Sequence, residues 1–287
     1  MKNLICTLFY STLLLLTISN SVEAKKRKEV KNQGVHIEYT DTGKGKQTLL
    51  FVHGWCINKT YWDSQVAFFK NKYRVITMDL AGYGGSGKNR TVWGTDAFAS
   101  DVNAVINQLH LKNVILIGHS MAGDIIAEAA ALNPKPVIAL IGVDNFKNTG
   151  IVNRDSVKSK KEFIAAIKQM KVNFKSVAYP YIKLQLFYKT TPDNVRRRVL
   201  YDVDHADTLI AVASMEHGDL DEVRALKKAG KPLFMVNSDV HPTDTTGLHA
   251  QHISAHVYYV HATGHYPMIE KPKEFNEALA KALTHIK

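Results

Sequence analysis

The run Gly118-His119-Ser120-Met121-Ala122-Gly123 carries the sharpest chemical signal in the chain. It follows the apolar stretch Val114 to Ile117 and leads into a helix-like segment. A serine on a tight strand-to-helix turn is exposed on strained backbone, and its neighbours must be small because strand and helix approach closely there. The helix start behind it favours developing negative charge. A hydroxyl is a poor nucleophile at neutral pH, so it needs a base within hydrogen-bond reach, and that base needs an orienting carboxylate. Among 13 histidines, His265 is the best-placed base, on a loop behind Gly264 and after a predicted strand. His119 precedes the serine, so its side chain is expected to point elsewhere and serve structure. Asp239, after the predicted strand Leu233 to Val236, is the first choice for the acid. Asp144, in Gly142-Val143-Asp144, is the alternative, and Asp244 a weaker third. The chemistry implied is acyl transfer through a covalent serine intermediate.

Such side chains must be brought together by the elements between them. Thr48 to Val52, Arg74 to Met78, Val114 to Ile117, Val137 to Val143, Leu233 to Val236 and Val257 to Val260 are short apolar runs, as strands buried on both faces require. Val35 to Tyr39 reads as a further strand. Tyr61 to Phe69, Thr95 to Leu109, Met121 to Leu132 and Phe275 to Leu283 carry apolar residues at helical spacing. The alternation predicts an α/β fold with a mostly parallel central sheet and helices on both faces. It breaks once, between Phe146 and Lys231, a stretch far longer than the roughly 20 to 30 residues of an ordinary crossover. Phe163 to Met170, Tyr179 to Tyr188 and Val195 to Val203 look helical within it. The surplus predicts an inserted helical cap over 146–229, with a core formed by 25–145 and 230–287.

Five segments in this order resemble the α/β-hydrolase family, in its serine-nucleophile branch of esterases, lipases and haloperoxidases. They are Phe51-Val52-His53-Gly54-Trp55, the turn Met78 to Ser86, the Ser120 motif, Pro232 to Asp239, and Gly264-His265-Tyr266-Pro267 through Pro272. Ala122 stands where the family pattern has glycine, and it is still small. The resemblance implies a triad in the order Ser120, Asp239, His265. It implies an oxyanion hole from the backbone N–H groups of Trp55 and Met121. It also gives His53 a bracing role on the oxyanion loop and Asp79 a loop-organising one. Val236-Asn237-Ser238-Asp239 is shorter than the family's usual spacing, with Asn237 where a glycine would stand, which keeps Asp144 open as the acid.

The chain of 287 residues is 45% hydrophobic, enough for a sizeable core, and two cysteines exclude a disulfide scaffold. Lys2, the apolar run Leu4 to Ile18 and Val22-Glu23-Ala24 read as a secretory signal over residues 1–24, so a secreted or periplasmic location is expected. Cleavage there leaves Cys56 as the single thiol, expected to be a small buried filler. The formal net charge is +11. The basic start Lys25 to Lys28 reads as a solvated tail offering weak contact to an anionic membrane. Arg196-Arg197-Arg198 reads as solvated surface, and no nucleic-acid motif accompanies it. His249, His252 and His256 are spaced as helical metal ligands, but no carboxylate or cysteine joins them at ligand spacing. No metal and no cofactor is expected. Tyr179, Tyr181, Phe187 and Tyr188 could wall an apolar pocket or fill the core of the cap. The function expected is hydrolysis of a small acyl substrate, foremost a carboxylic ester. The alternatives are a carbon–carbon bond hydrolase, a cofactor-free haloperoxidase, or a ligand-binding protein of low turnover.

Overall fold

The computed structural model describes residues 28–151, 156–218 and 220–287. The expected leader, and all of the basic start except Lys28, lie outside the described residues. In chain order the elements are β1 (Lys28–Asn32), β2 (Val35–Asp41), β3 (Thr48–Val52), α1 (Asp63–Phe69), β4 (Arg74–Met78), α2 (Thr95–Gln108), β5 (Val114–His119), α3 (Ala122–Leu132) and β6 (Val137–Val143). There follow α4 (Ser156–Val172), α5 (Phe174–Tyr181), a π-helical turn (Ile182–Leu186), α6 (Asp193–His205), α7 (Thr208–Glu216) and α8 (Glu222–Ala229). The chain closes with β7 (Leu233–Ser238), α9 (Thr246–Ala250), β8 (Ala255–Val260), α10 (Pro267–Glu270) and α11 (Pro272–Leu283).

The strands form one sheet of eight, in the order β1-β2-β4-β3-β5-β6-β7-β8. The pairs β1–β2 and β2–β4 are antiparallel and the remainder parallel. Alternation within the central strands divides two cores. Leu50 and Val52 of β3, with Val114 and Leu116 of β5, pack with α2, α3 and α8 on one face. Leu49, Phe51, Ile115 and Ile117 pack on the other face with α1, α11 and the helices after β6. Every residue of β3 and β5 is buried, which is why their sequences read as unbroken apolar runs.

The basic start differs from expectation in one respect: Lys28 opens a strand. β1 hairpins onto β2 through Gln33 and Gly34, both at positive φ (49° and 84°), the geometry that matches strand twist. Only Val30 of β1 faces inward, so a single apolar residue was all the signal this edge strand carried.

The long excursion after β6 is helical. The first and third expected helices fall within α4 and α6; the middle one, expected to reach Tyr188, ends with the π turn at Leu186. The middle one is split because Pro180 lies inside α5 and lacks the N–H the helix needs. α8 packs on α3, placing Ala225, Leu226 and Ala229 in the same core as Ile125 and Ile126. It therefore serves as a sheet-covering helix, leaving the cap proper to α4 through α7. Several polar contacts fasten that cap to the core, three of them from aromatic side chains. Trp55 Nε1 donates to Ala211 O at 2.8 Å, Tyr61 Oη donates to Asp202 Oδ2 at 2.6 Å, and Tyr83 Oη meets Ser214 Oγ at 2.9 Å. Arg196 and Arg198, expected as solvated surface, are built in instead. Arg196 donates to Thr191 O and Tyr188 O, and Arg198 lies 4.2 Å over the Tyr61 ring.

Candidate active site

The site lies at the carboxyl ends of β3, β5, β6 and β8, where an open α/β sheet forms its crevice. Ser120 ends β5 with φ at 53°, a left-handed conformation that non-glycine residues adopt at a cost of roughly 1–3 kcal/mol. Two backbone bonds hold it there: Ser120 N–H to Val143 O at 3.0 Å, and Gly123 N–H to Ser120 O at 2.8 Å. The small flanking residues are a steric necessity. A Cβ on Gly118 would lie 2.2 Å from Ala122 O, and one on Gly123 would lie 2.2 Å from the Asn145 side chain. Ala122 is tolerated because its own methyl points into the buried core.

His265 Nδ1 lies 2.5 Å from Asp144 Oδ2, with the histidine 9% and the aspartate 5% exposed. The carboxylate on the histidine is therefore that of Asp144, which corrects the expectation of Asp239. The reason lies in strand order. β6 lies next to β5, so a turn at its end brings Asp144 beside the serine, and Asp144 at φ 50° makes that turn. Asp239 lies one strand farther out. Its carboxylate accepts from Ala262 N–H at 2.7 Å and meets the exposed His261 Nδ1 at 3.0 Å, supporting the outside of the histidine loop. Asp244 caps the turn before α9 through Thr246 and reaches no histidine.

The other oxygen of Asp144 is heavily solvated by protein. Oδ1 accepts from Ser238 N–H at 2.9 Å and Ser238 Oγ at 2.6 Å, and the Lys147 ammonium lies 2.7 Å away. Burial alone would raise the Asp144 pKa. The hydrogen bond and charge of His265, with the Lys147 ammonium, outweigh it and hold the carboxyl well below its usual range. Lys147, Ser238 and Asn145 were not anticipated. Asn145 Nδ2 donates to Ser120 O at 2.5 Å, and Asn237 Nδ2 donates back to Asn145 O at 3.2 Å, so one asparagine pair ties the acid turn to the serine turn. Asn237, already conspicuous as a departure from the glycine of the family pattern, was the one available signal.

The loop after β3 closes the site from the other side. A Cβ on Gly54 would stand 2.7 Å from His119 Nδ1 and 3.1 Å from Ser120 Cβ. Only glycine lets this backbone pass so close, and it places Trp55 against the serine. His53 Nε2 accepts from Leu80 N–H at 3.0 Å, so its proton sits on Nδ1 and is donated to Gly54 O at 2.8 Å. This bond braces the loop. Burial depresses the His53 pKa and keeps the ring neutral. Asp79 accepts from Lys59 N–H at 2.7 Å and Gly85 N–H at 2.9 Å, organising the neighbouring turn without touching the serine.

His119 is fully enclosed. Its Nε2–H donates to His265 O at 2.7 Å, and burial, with the nearby His265 charge, pushes its pKa down to about 3. It is a neutral buttress under the histidine loop. Cys56 is buried in the second core, where burial raises its thiol pKa well above the ordinary value. Among the described residues no group of three potential ligands could hold a metal ion. His256 of the suspected trio instead stacks on Phe234, with centroids 5.3 Å apart.

A cavity of about 280 Å³ opens onto Ser120, His265 and Met121, with Trp55, Phe163, Tyr181, Leu186 and Met215 among its walls. Tyr181 thus belongs to the pocket wall, whereas Phe187 is buried in the core beneath the cap. A serine on a left-handed turn, a histidine paired to a carboxylate and a cavity that opens onto both form a set suited to acyl transfer.

The alpha/beta hydrolase fold family model matches residues 47–239, and the chain belongs to that family. Among its relatives, a non-heme chloroperoxidase of Burkholderia pyrrocinia is 39% identical over 104 residues, covering 36% of this chain and 37% of that protein. A bifunctional esterase/perhydrolase of Acinetobacter calcoaceticus is 34% identical over 111 residues, covering 37% of this chain and 39% of that protein. The matched stretch thus spans little more than a third of these curated relatives. A thermophilic esterase from Thermogutta terrifontis superposes with a TM-score of 0.76 at 21% identity, covering 91% of this chain and 98% of that one. That likeness concerns the fold.

Proposed function

We propose that this chain is a serine hydrolase that cleaves a carboxylic ester, or a related acyl compound, through an acyl-enzyme on Ser120. The observation that carries the reading is the 2.5 Å contact of His265 Nδ1 with Asp144, beside a serine held at positive φ where the cavity opens. With Nδ1–H donated to Asp144, Nε2 is the free base. It takes the Ser120 proton as Oγ attacks the carbonyl carbon, and Asp144 stabilises the imidazolium that forms. The N–H groups of Trp55 and Met121 receive the oxyanion. Collapse of the tetrahedral species expels the alcohol, protonated by His265. Water then repeats the sequence in reverse order, releasing the acid and restoring the serine.

Trp55, Phe163, Leu186 and Met215 give the walls an apolar part that suits an acyl group of modest size, while Asp124 and Ser214 add polar groups beside it. The names of the two relatives favour a second outcome on the same intermediate, in which hydrogen peroxide rather than water accepts the acyl group and leaves as a peracid. An exported location, expected from residues 1–24, is part of the proposal; N-terminal sequencing of protein recovered from the producing cells tests it. For the chemistry, a fluorophosphonate probe should label the folded wild type and not Ser120→Ala. Turnover of p-nitrophenyl esters should fall with labelling, and a graded acyl-chain series should show a maximum set by the chamber. A folded wild type that takes no label overturns the reading.

A further inference from the structure

The positive charge of the chain is concentrated in the segment that supplies Phe163, Tyr181 and Leu186 to the cavity. Residues 156–192 hold eight lysines and one acidic residue, Glu162, against a net +11 for the whole chain. Lys171 and Lys175 are neutralised by Glu216 and Asp204 at 2.7 and 2.5 Å. Lys160, Lys161, Lys168 and Lys183 meet no carboxylate among the described residues and are exposed. Apolar side chains stand among them in the open. Val172 is 88% exposed, Leu184 75% and Ile164 45%.

Helical arithmetic explains the arrangement. On α4, Phe163, Ile167, Met170 and Phe174 (the last just beyond its end) recur at inward spacing; three are buried, and Phe163 stands at the cavity. Lys161, Ile164, Lys168 and Val172 recur on the opposite stripe and face solvent. Lys183 and Leu184 extend this surface from the π turn, next to Tyr181 on the other wall of the same cavity. A core-facing helix has no use for isoleucine, valine and leucine on its wet side. Lysines interleaved with exposed aliphatics are the pattern of a surface that lies on an anionic bilayer, where ammonium groups meet headgroups and apolar tips enter the acyl boundary. The exposed tips of Ile164, Val172 and Leu184 offer nucleic acid neither a hydrogen bond nor a stacking face, which favours the bilayer as the partner.

We infer that the outer face of α4 and the π turn docks on anionic lipid surfaces, setting the mouth of the Ser120 cavity against the layer that holds acylated amphiphiles. This differs from the contact expected of the basic start, because it uses the cap. It rests on the proposed hydrolysis only for what happens to the lipid once delivered; docking itself is independent of it.

The test is sedimentation of the full chain with vesicles of phosphatidylcholine, alone or with phosphatidylglycerol. Binding is expected with the anionic vesicles only, and it should weaken as salt is raised. The variant Lys160→Glu/Lys161→Glu/Lys168→Glu/Lys183→Glu should bind at least about 100-fold more weakly, since each lysine near the surface contributes a several-fold factor. Leu184→Asp alone should weaken binding several-fold. None of these residues lines the cavity, so both variants should keep wild-type turnover of a soluble short-chain ester, which also certifies folding. Equal binding to neutral vesicles, retention of binding by the quadruple variant, or capture by heparin or DNA without capture by vesicles would each overturn the inference. A Ser120→Ala protein that still sediments separates docking from chemistry: failure of ester turnover with intact docking counts against the hydrolase reading alone.

Discussion

Replacing Asp144 by asparagine tests the site at its most specific point. The substitution is nearly isosteric, but the surroundings dictate which way the new amide must face. Oδ1 receives Ser238 N–H, Ser238 Oγ–H and the Lys147 ammonium at 2.9, 2.6 and 2.7 Å. All three are donors, and two of them belong to groups that cannot become acceptors, so the amide oxygen must occupy that position. The NH2 group then faces His265 Nδ1, which can satisfy it only by presenting a lone pair. The imidazole proton moves to Nε2, the atom that should accept the serine proton. The base is then in the wrong tautomer while the geometry is intact. Loss of tautomer control and of the carboxylate charge together cost on the order of 10⁴ in kcat, about 5 kcal/mol of barrier. Asp239→Asn keeps an oxygen for Ala262 N–H and leaves the His265 contact untouched, so its kcat should remain within about threefold of wild type. The assay is steady-state hydrolysis of a p-nitrophenyl ester by both variants, with thermal unfolding as the folding control. An Asp144→Asn enzyme within tenfold of wild type, or a larger loss in Asp239→Asn, would refute the argument.

Lys147→Met removes an ammonium that helps to hold the Asp144 carboxyl below its usual range, so the variant should be less stable at neutral pH and should lose less of its stability as the pH falls below about 4. A urea-denaturation profile parallel to wild type over this acid range would show that the ammonium does not act on the carboxylate. His119 is held neutral with a pKa of about 3, whereas an unfolded histidine titrates near 6.5. Between those values the unfolded chain binds a proton that the folded one does not, so stability should fall as pH drops through this window, by at most about 5 kcal/mol. His119→Gln retains a donor for His265 O and should flatten that dependence in urea denaturation; parallel curves would discount the linkage. Gly54→Ala drives a methyl to 2.7 Å from His119 Nδ1, and that ring is already tied to His265 O. The loop must retreat from the serine, so kcat should fall about 100-fold with little change in KM, as expected for a displaced oxyanion donor.

The sequence made the sheet legible because β3 and β5 are buried on both faces, so Leu49 to Val52 and Val114 to Ile117 run apolar without a break. The serine turn was equally plain, since Gly118 and Gly123 answer collisions that any other residue would suffer. The acid was not. Asp144 and Asp239 both follow apolar strands, and strand length says nothing about which end lies beside β5. The decision rests on sheet order and on a left-handed turn at Asp144, neither of which leaves a local mark. Lys147 was invisible for a related reason: a lysine four residues past a strand is ordinary surface unless the turn folds it back onto the carboxylate. The hairpin of β1 was hidden in a run of charges, with Val30 alone facing inward.

The cap and the histidine loop are stitched together more closely than their separation in sequence suggests. His265 N–H donates to Leu186 O at 2.8 Å, and a Cβ on Gly264 would stand 2.6 Å from that same oxygen. Glu270 accepts from Gly264 N–H at 2.9 Å and from Thr191 Oγ at 2.8 Å, while Thr190 Oγ donates to Ala262 O at 2.9 Å. The caps of such enzymes look like interchangeable parts, and grafting one from a relative is a natural route to new specificity. Here the graft would carry off the backbone carbonyl on which His265 rests. Segments 182–191 and 261–270 therefore form one heritable module, and a chimera that exchanges one without the other should accept a new substrate into a chamber whose base has lost its seat.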